Sequence, residues 1–154
     1  MRKPSRLSAR RIILIADDDA DDRLMIKDAF NESSNAPELL FVEDGEQLML
    51  YLNRKDKYSE NDVYPVPQLI ILDLNMPKKD GRAALREIMS NPKLKYIPVI
   101  VLSTSNLTED IVKCYEDGTN CFLTKPPTYN GLVELTKSFN KYWMETAELP
   151  PPRY

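Results

Sequence analysis

Acidic, hydroxyl and lysine side chains follow four separate apolar runs of this sequence. Asp17 and Asp18 come directly after the first run, and Asp73 follows a later one. Ser103 and Lys125 each follow a further run. Carboxylates that lie close together need a cation, and oxygen ligands are what Mg²⁺ prefers in proteins. A carboxylate such as Asp73 can also accept a phosphoryl group, whose oxygens a lysine ammonium meets as a point charge.

The composition excludes several other chemistries. The chain has 154 residues, no histidine and two cysteines, Cys114 and Cys121, which do not form a CxxC pair. Without histidine, a Ser–His–Asp or Cys–His site is excluded, and so is a role as phosphohistidine donor. The cysteine count argues against structural zinc and suits a reducing cytoplasm. The formal net charge of −3 gives no electrostatic footprint for nucleic acid.

The elements that must position these side chains alternate between strands and helices. Apolar runs predict strands at residues 11–16, 39–42, 69–72, 99–102 and 121–123. Helical spacing of apolar residues predicts helices at 21–31, 45–54, 82–90, 108–117 and 129–146, with a loop at 55–67. Gly118 is a natural residue to end the fourth helix. Alternating units with fully apolar strands predict a doubly wound α/β domain around a parallel sheet.

In such a sheet, sites form beyond the carboxyl ends of the strands. Asp17, Asp73, Ser103 and Lys125 would therefore meet at one edge. Each also has a purely structural interpretation when it is taken alone. The acidic run 17–22 can favour the N-terminus of the first helix, Asp73 can be a turn residue, and residues 103–105 can be a capping cluster for the fourth helix. The joint placement of these residues favours a functional site.

Four motifs resemble the receiver domain of two-component response regulators. They are Asp17-Asp18, the run DLNMPKKDG at residues 73–81, Ser103-Thr104 and Lys125-Pro126. The likeness covers about residues 11–146. A closer likeness, carried by residues 72–82, 101–105 and 142–144, holds to the single-domain regulators that partner bacterial phytochrome histidine kinases. The resemblance implies a flavodoxin-like (βα)5 fold with five parallel strands in the order 2-1-3-4-5.

The resemblance also implies a role for each site residue. Asp73 is the phosphoacceptor. Mg²⁺ is held by Asp18, Asp73 and the backbone carbonyl of Asn75, with Asp17 acting through water. Lys125 pairs with the phosphoryl group, Ser103 is the switch hydroxyl, and the Lys125-Pro126 peptide is expected to be cis.

Two positions depart from the usual pattern or leave a choice open. Thr104 is bulkier than the small residue common in the family, which could restrict access to Asp73. Phe122 occupies the aromatic switch position without a hydroxyl, and an ordinary half-buried strand aromatic is an equal interpretation.

The regions around the predicted domain bear on partners. Residues 1–10 are predicted to be a disordered basic tail and 147–154 a Pro-rich tail, with no membrane span. Because so few residues follow the last helix, we expect output by protein–protein contact, after phosphoryl transfer from a histidine kinase or histidine phosphotransfer protein.

A homodimer through the fourth helix, fifth strand and last helix is one candidate assembly. The last helix has an apolar stripe at Leu132, Leu135, Phe139 and Tyr142. Val133, Trp143 and Met144 lie partly off this stripe and either face a partner or complete the domain's own core.

Three rival functions have different sequence requirements. A phosphatase of the haloacid dehalogenase type expects a second Asp two residues after the first, where this chain has Asn75. A nucleotide-binding domain expects a glycine-rich motif, but the four glycines are scattered. A degenerate receiver that only binds a partner would not need the intact set of Asp18, Asp73, Ser103 and Lys125. The sequence therefore favours a phosphoacceptor over an enzyme with turnover.

Overall fold

The computed structural model of this protein describes residues 11–153. Five parallel strands form one sheet in the order β2-β1-β3-β4-β5, which confirms the predicted fold. The strands are β1 Ile12–Ala16, β2 Glu38–Val42, β3 Leu69–Leu72, β4 Val99–Ser103 and β5 Cys121–Thr124. The helices are α1 Ala20–Asn31, α2 Gly45–Leu52, α3 Gly81–Ser90, α4 Thr108–Glu116 and α5 Tyr129–Phe139. A 3₁₀ turn, Asp56–Ser59, lies inside the predicted loop, and a π-helical segment, Asn140–Thr146, follows α5.

Successive residues of the central strands are buried on opposite faces of the sheet. In β1, Leu14 and Ala16 pack towards α2 and α3, whereas Ile13 and Ile15 pack towards α1 and α5. This is why the central strands are apolar throughout: both faces are covered by helices. The two layers of helices cover the faces of the sheet, so the loops that follow the strands meet at its carboxyl edge.

Short polar side chains fix where the helices begin. Asp19 accepts backbone N–H groups of the first turn of α1, and Asp44, Asp80 and Thr128 do the same for α2, α3 and α5. Such caps satisfy N–H groups that lack a partner inside the helix. After α4 the chain turns at Gly118, whose φ of +105° disfavours any residue with a side chain. The predicted role of Gly118 is confirmed.

The prediction of one regular last helix is wrong beyond Phe139. From Asn140 the helix widens, and the N–H of Ala147 donates to the carbonyl of Tyr142, five residues earlier. An added residue per turn shifts the phase of the apolar stripe. Tyr142 consequently points outward, with 56% of its surface exposed, while Trp143 and Met144 pack partly against the core and Val133 is buried.

The Pro-rich segment beyond the π-helical segment contacts both halves of the domain. Leu149 packs against the core cluster under α1 and α5. The N–H of Arg153 donates to the Tyr96 hydroxyl at 3.0 Å, at the other side of the sheet. The predicted basic tail, residues 1–10, lies outside the described residues. Within residues 11–153, no helix has the length and apolar character that crossing a bilayer requires.

Candidate phosphoacceptor site

Asp17 and Asp73 lie side by side at the carboxyl edge of the sheet. The N–H of Asp17 donates to the carbonyl of Val42 at 3.1 Å, and the N–H of Asp73 donates to that of Ala16 at 3.0 Å. These bonds continue the sheet pairing one residue past β1 and β3, so the two backbones are held as firmly as the strands. Both side chains are buried. Asp18 is exposed beside them.

The three carboxylates Asp17, Asp18 and Asp73 form a cluster. Each offers an oxygen, and these oxygens all lie within 4.8 Å of one another. One oxygen of Asp17 accepts the N–H of Asp19 at 3.0 Å, and one of Asp73 accepts the N–H of Asn75 at 3.3 Å. Oxygen donors of this kind suit a hard divalent cation such as Mg²⁺, so the residues present fit the metal that the sequence predicts.

Lys125 supplies the positive charge of the site. Its Nζ lies 2.9 Å from Asp17, 3.1 Å from Asp22 and 3.5 Å from Asp73. The last distance is long for a hydrogen bond and marks a mainly electrostatic contact. Lys125 is positioned by β5, which pairs with β4, and its own N–H donates to the carbonyl of Ser103 at 2.7 Å.

Burial and charge act in opposite directions on Asp73. Loss of water around the carboxylate raises its pKa, and the negative charge of Asp17 raises it further. The Lys125 ammonium and the N–H of Asn75 oppose these effects without cancelling them. The pKa of Asp73 therefore lies above its ordinary value. Additional positive charge nearby would stabilise its ionised form.

Lys125 responds in the complementary way. Burial alone would lower its pKa, but the hydrogen bond to Asp17, the charges of Asp73 and Asp17 and the hydrogen bond to Asp22 outweigh that effect. The pKa of Lys125 is consequently above its ordinary value. Lys125 is a cation at every pH near neutrality.

The residues predicted to act as the switch make no hydrogen bond to Asp73. Ser103 is fully buried, and its hydroxyl oxygen accepts the N–H of Ser105 at 3.1 Å. Thr104 is exposed at the same edge. Ser103 also borders a cavity of about 410 Å³ that it shares with Asn75, Arg82 and other residues.

Phe122 is half-buried and packs with Leu74, Val101 and Cys114. Its backbone N–H donates to the hydroxyl of Tyr115 on α4 at 3.2 Å. These contacts agree with the interpretation of Phe122 as an ordinary strand aromatic.

The predicted cis peptide between Lys125 and Pro126 is wrong, because residues 11–153 contain no cis peptide bond. The trans form is favoured before proline by roughly 0.5–1 kcal/mol. Lys125 already reaches Asp17 and Asp73 from a trans bond, so the geometry does not require the less favourable isomer.

The loop from Asp73 to α3 depends on Gly81. A Cβ at this position would lie 2.2 Å from the backbone oxygen of Asp73 and 2.7 Å from the Cα of Leu74. The N–H of Gly81 donates to the carbonyl of Leu74 at 2.9 Å. Only glycine allows the start of α3 to approach the end of β3 this closely.

The interpretation that the acidic run stabilises the start of α1 is correct for one residue, but it does not describe the contact of another. Asp19 caps α1 by accepting the N–H groups of Asp21 and Asp22. Asp22, four residues after Asp18, contacts Lys125 and was not singled out from the sequence. Its position three residues after the capping residue Asp19, in the first turn of α1, was the only available signal, because residues three or four apart in a helix are neighbours on its surface.

The capping interpretation of residues 103–105 is only partly correct. Leu107 precedes α4 and makes no side-chain cap. Ser105 instead donates its hydroxyl to Asp110 at 2.5 Å, and so ties the loop after β4 to the first turn of α4.

Comparisons with known proteins agree with this geometry. The response regulator receiver domain family matches residues 13–137. The response regulator Rcp1 of Synechocystis sp. is 39% identical over 140 residues, which cover 91% of this chain and 93% of Rcp1.

Two solved structures are similar to this chain. The phosphorylated cyanobacterial phytochrome response regulator RcpA has a TM-score of 0.85 and 40% identity, covering 92% of this chain and 99% of RcpA. The Mn²⁺-bound form of Rcp1 has a TM-score of 0.82 and 38% identity, covering 91% of this chain and 99% of Rcp1. The chain therefore belongs to the response regulator receiver domain family, whose members act in two-component signalling, and it is related to phytochrome response regulators.

Proposed function

We propose that this receiver accepts a phosphoryl group on Asp73 from a phosphohistidine and signals through protein–protein contact. The observation that carries the proposal is the placement of Asp73, a buried carboxylate that shares its site with Asp17, Asp18 and the Lys125 ammonium. Because the chain has no histidine, the donor is a histidine kinase or a histidine phosphotransfer protein. The relation to phytochrome response regulators favours a phytochrome-linked kinase.

In the proposed transfer, an oxygen of ionised Asp73 attacks the phosphorus of phosphohistidine. The new O–P bond forms as the P–N bond breaks, and the imidazole nitrogen keeps the electron pair and takes up a proton. Asp73 then holds an acyl phosphate. Lys125 lies close enough to Asp73 to pair with the carboxylate before the transfer and with the phosphoryl oxygens after it. Ser103 is the hydroxyl that turns towards the phosphoryl oxygens. Transfer of this kind depends mainly on positioning and charge neutralisation.

Asp18, Asp73 and the backbone carbonyl of Asn75 would hold Mg²⁺, with Asp17 acting through water. When bound, the metal neutralises the negative charge that gathers between the carboxylates and the phosphoryl group. The chain's own part is to fix these oxygens at the end of β1 and β3, and to supply a second cation, Lys125, on the side shared by Asp17 and Asp73.

The proposal limits the chemistry to transfer onto Asp73 and later hydrolysis of the acyl phosphate. Turnover of exogenous phosphoesters would need an acid at the position of Asn75, which is an exposed amide. A colorimetric assay with a phosphoester substrate should give no turnover. We place this signalling in the cytoplasm as part of the same proposal.

Acetyl phosphate with Mg²⁺ tests the phosphoacceptor directly. Asp73→Asn should abolish labelling, because the amide cannot form the acyl phosphate. Asp19→Asn is the matched control: it changes a neighbouring carboxylate whose part is to cap α1, and asparagine caps as well as aspartate. Full labelling of the Asp73 variant would remove the basis of the proposal.

The output surface is proposed to be the face of α4, β5 and α5. Leu107, Val112 and Tyr115, on and before α4, are each about half exposed, and Tyr142 is exposed beyond α5. A homodimer through this face is one assembly that fits such exposure. Sedimentation with and without beryllofluoride, a phosphoryl mimic, should show a change of mass if phosphorylation controls it. An unchanged monomer in both states would leave contact with another protein as the output.

A further inference from the structure

A large cavity lies at the edge of the sheet opposite Asp73. It encloses about 750 Å³, within the range of small-molecule sites. Val66 and Pro67 precede β3 and Ile97 precedes β4, so its floor is the amino edge of the strands. Leu52 and Leu94 complete an apolar base. The cavity is separate from the phosphoacceptor site.

The charged residues that line this cavity are all basic. They are Arg54, Lys93 and Arg153, and no aspartate or glutamate lines it. In a chain that carries more acidic than basic residues, such a one-sided lining is unexpected. None of these three side chains forms an ion pair within the described part of the chain. The cavity therefore offers positive charge that the protein itself does not neutralise.

Arg54 is held in a defined orientation with hydrogen-bonding capacity to spare. One guanidinium nitrogen donates to Asn61 at 2.5 Å, and the guanidinium lies 5.6 Å from the centre of the Tyr51 ring. The other terminal nitrogen is buried and has no partner among residues 11–153. A buried charged donor without an acceptor is costly. Because Arg54 lines the cavity, an anion bound there would lie beside this guanidinium and draw the shielded nitrogen out as a donor.

The opposite wall combines an aromatic ring with a second guanidinium. Arg153 lies over the ring of Tyr96 at 4.3 Å from its centre, and the Tyr96 hydroxyl accepts the backbone N–H of Arg153. This contact fixes the Pro-rich segment against the turn before β4. It also gives the cavity a flat, cationic surface on which a planar group can stack.

We propose that this cavity binds a small organic anion that has a planar apolar body and a carboxylate or phosphate group. The anionic group would accept from the free nitrogen of Arg54, and the planar body would rest on the apolar base beside Tyr96. A phosphate group and a carboxylate share this chemistry, and the test separates them. The inference does not depend on phosphoryl transfer at Asp73.

Titration of the ¹⁵N-labelled protein with phenyl phosphate and, separately, benzoate tests the site, without Mg²⁺ so that the carboxylate cluster stays inactive. At least one probe should shift the amide signals of Arg54, Lys93 and Tyr96 in a saturable manner. Phenol has the planar ring without the anionic group, and inorganic phosphate has the anionic group without the ring. Each should therefore bind more weakly. Asp73→Asn should bind the same probe as tightly as the parent protein, whatever its labelling behaviour.

Arg54→Gln should weaken binding by about tenfold, since a charge-assisted hydrogen bond is lost. Lys95→Gln is the matched control, because Lys95 is an exposed lysine of the same turn that does not line the cavity. Arg153→Gln, at an exposed position, provides a second weakened variant if the change at Arg54 disturbs folding. Equal affinity in the parent and both arginine variants would overturn the proposal, as would no saturable shift with either probe.

Discussion

Replacing Lys125 with methionine tests how the cation and the carboxylates share the site. Methionine keeps the apolar stem and removes the charge. The side chains of Asp17 and Asp73 are only 2% and 10% exposed, so they would lose their nearest cation in a place with little water. Breaking a buried pair costs about 3–5 kcal/mol. We expect about 3 kcal/mol without metal, the lower end of that range, because Asp17 still accepts the N–H of Asp19.

Mg²⁺ should restore part of this loss, because it would neutralise the same carboxylates. In the parent protein, Lys125 competes with the metal for Asp17 and Asp73. A metal at one hundred times its Kd stabilises a protein by about 2.7 kcal/mol. If removal of Lys125 tightens metal binding tenfold, the variant gains about 1.4 kcal/mol more than the parent. The deficit in the free energy of unfolding should then shrink to about 1.6 kcal/mol.

Urea denaturation in EDTA and in saturating Mg²⁺ measures both quantities, with the fluorescence of Trp143, the single tryptophan, as the signal. Lys137→Met is the control. Lys137 pairs with Glu134 at the surface, where the two side chains are 57% and 75% exposed, so its loss should cost under about 0.5 kcal/mol in either buffer. If the deficit of Lys125→Met is the same with and without Mg²⁺, the idea that lysine and metal compete for these carboxylates is refuted.

Three other predictions concern the same edge of the sheet. Burial raises the pKa of Asp73 above its ordinary 3.8, so the native state loses stability as pH rises through that raised pKa. In urea melts, Asp73→Asn should therefore be more stable than the parent at pH 7, and the difference should be smaller at pH 4. A gain that does not depend on pH would contradict this. Gly81→Ala should lose about 1–3 kcal/mol by overpacking and label slowly with acetyl phosphate, whereas an unchanged melting curve would contradict the close approach to the Asp73 carbonyl. Asp22→Asn frees Lys125 from a competing carboxylate and should tighten beryllofluoride binding several-fold; Asp21→Asn is the control, and equal affinities would rule out this competition.

The fold and the meeting point of the site could be predicted because they depend on strong, local patterns. The strand 69–72 is apolar on both faces, so its limits are correct to the residue. Once the strands are parallel and adjacent, the residues that follow β1, β3 and β5 must share an edge. The assembly of Asp17, Asp18, Asp73 and Lys125 follows from that topology, while their chemical roles stay proposals.

Other features depend on competition between side chains that the sequence does not reveal. Several carboxylates lie within reach of Lys125, and only the folded structure shows that Asp22 contacts it as well as Asp17 and Asp73. The hydroxyl of Ser103 has a near partner in the N–H of Ser105, so its direction could not be inferred from its position. The widening of the last helix at Asn140 is likewise invisible to a periodicity of 3.6 residues, because the side chains remain amphipathic on either side of it.

The 2.7 Å bond from the Lys125 N–H to the Ser103 carbonyl joins the backbones of the two residues proposed to respond to the phosphoryl group. Its amide proton is therefore a natural spectroscopic reporter at the centre of the switch. If β4 and β5 move as one unit, its hydrogen exchange stays slow when Asp73 is modified. If the loop after β4 moves alone, this bond stretches and exchange accelerates at this one amide, while amides deeper in β5 stay protected. One resolved resonance thus distinguishes a concerted shift of the two strands from a local rearrangement, without a partner protein or a second label.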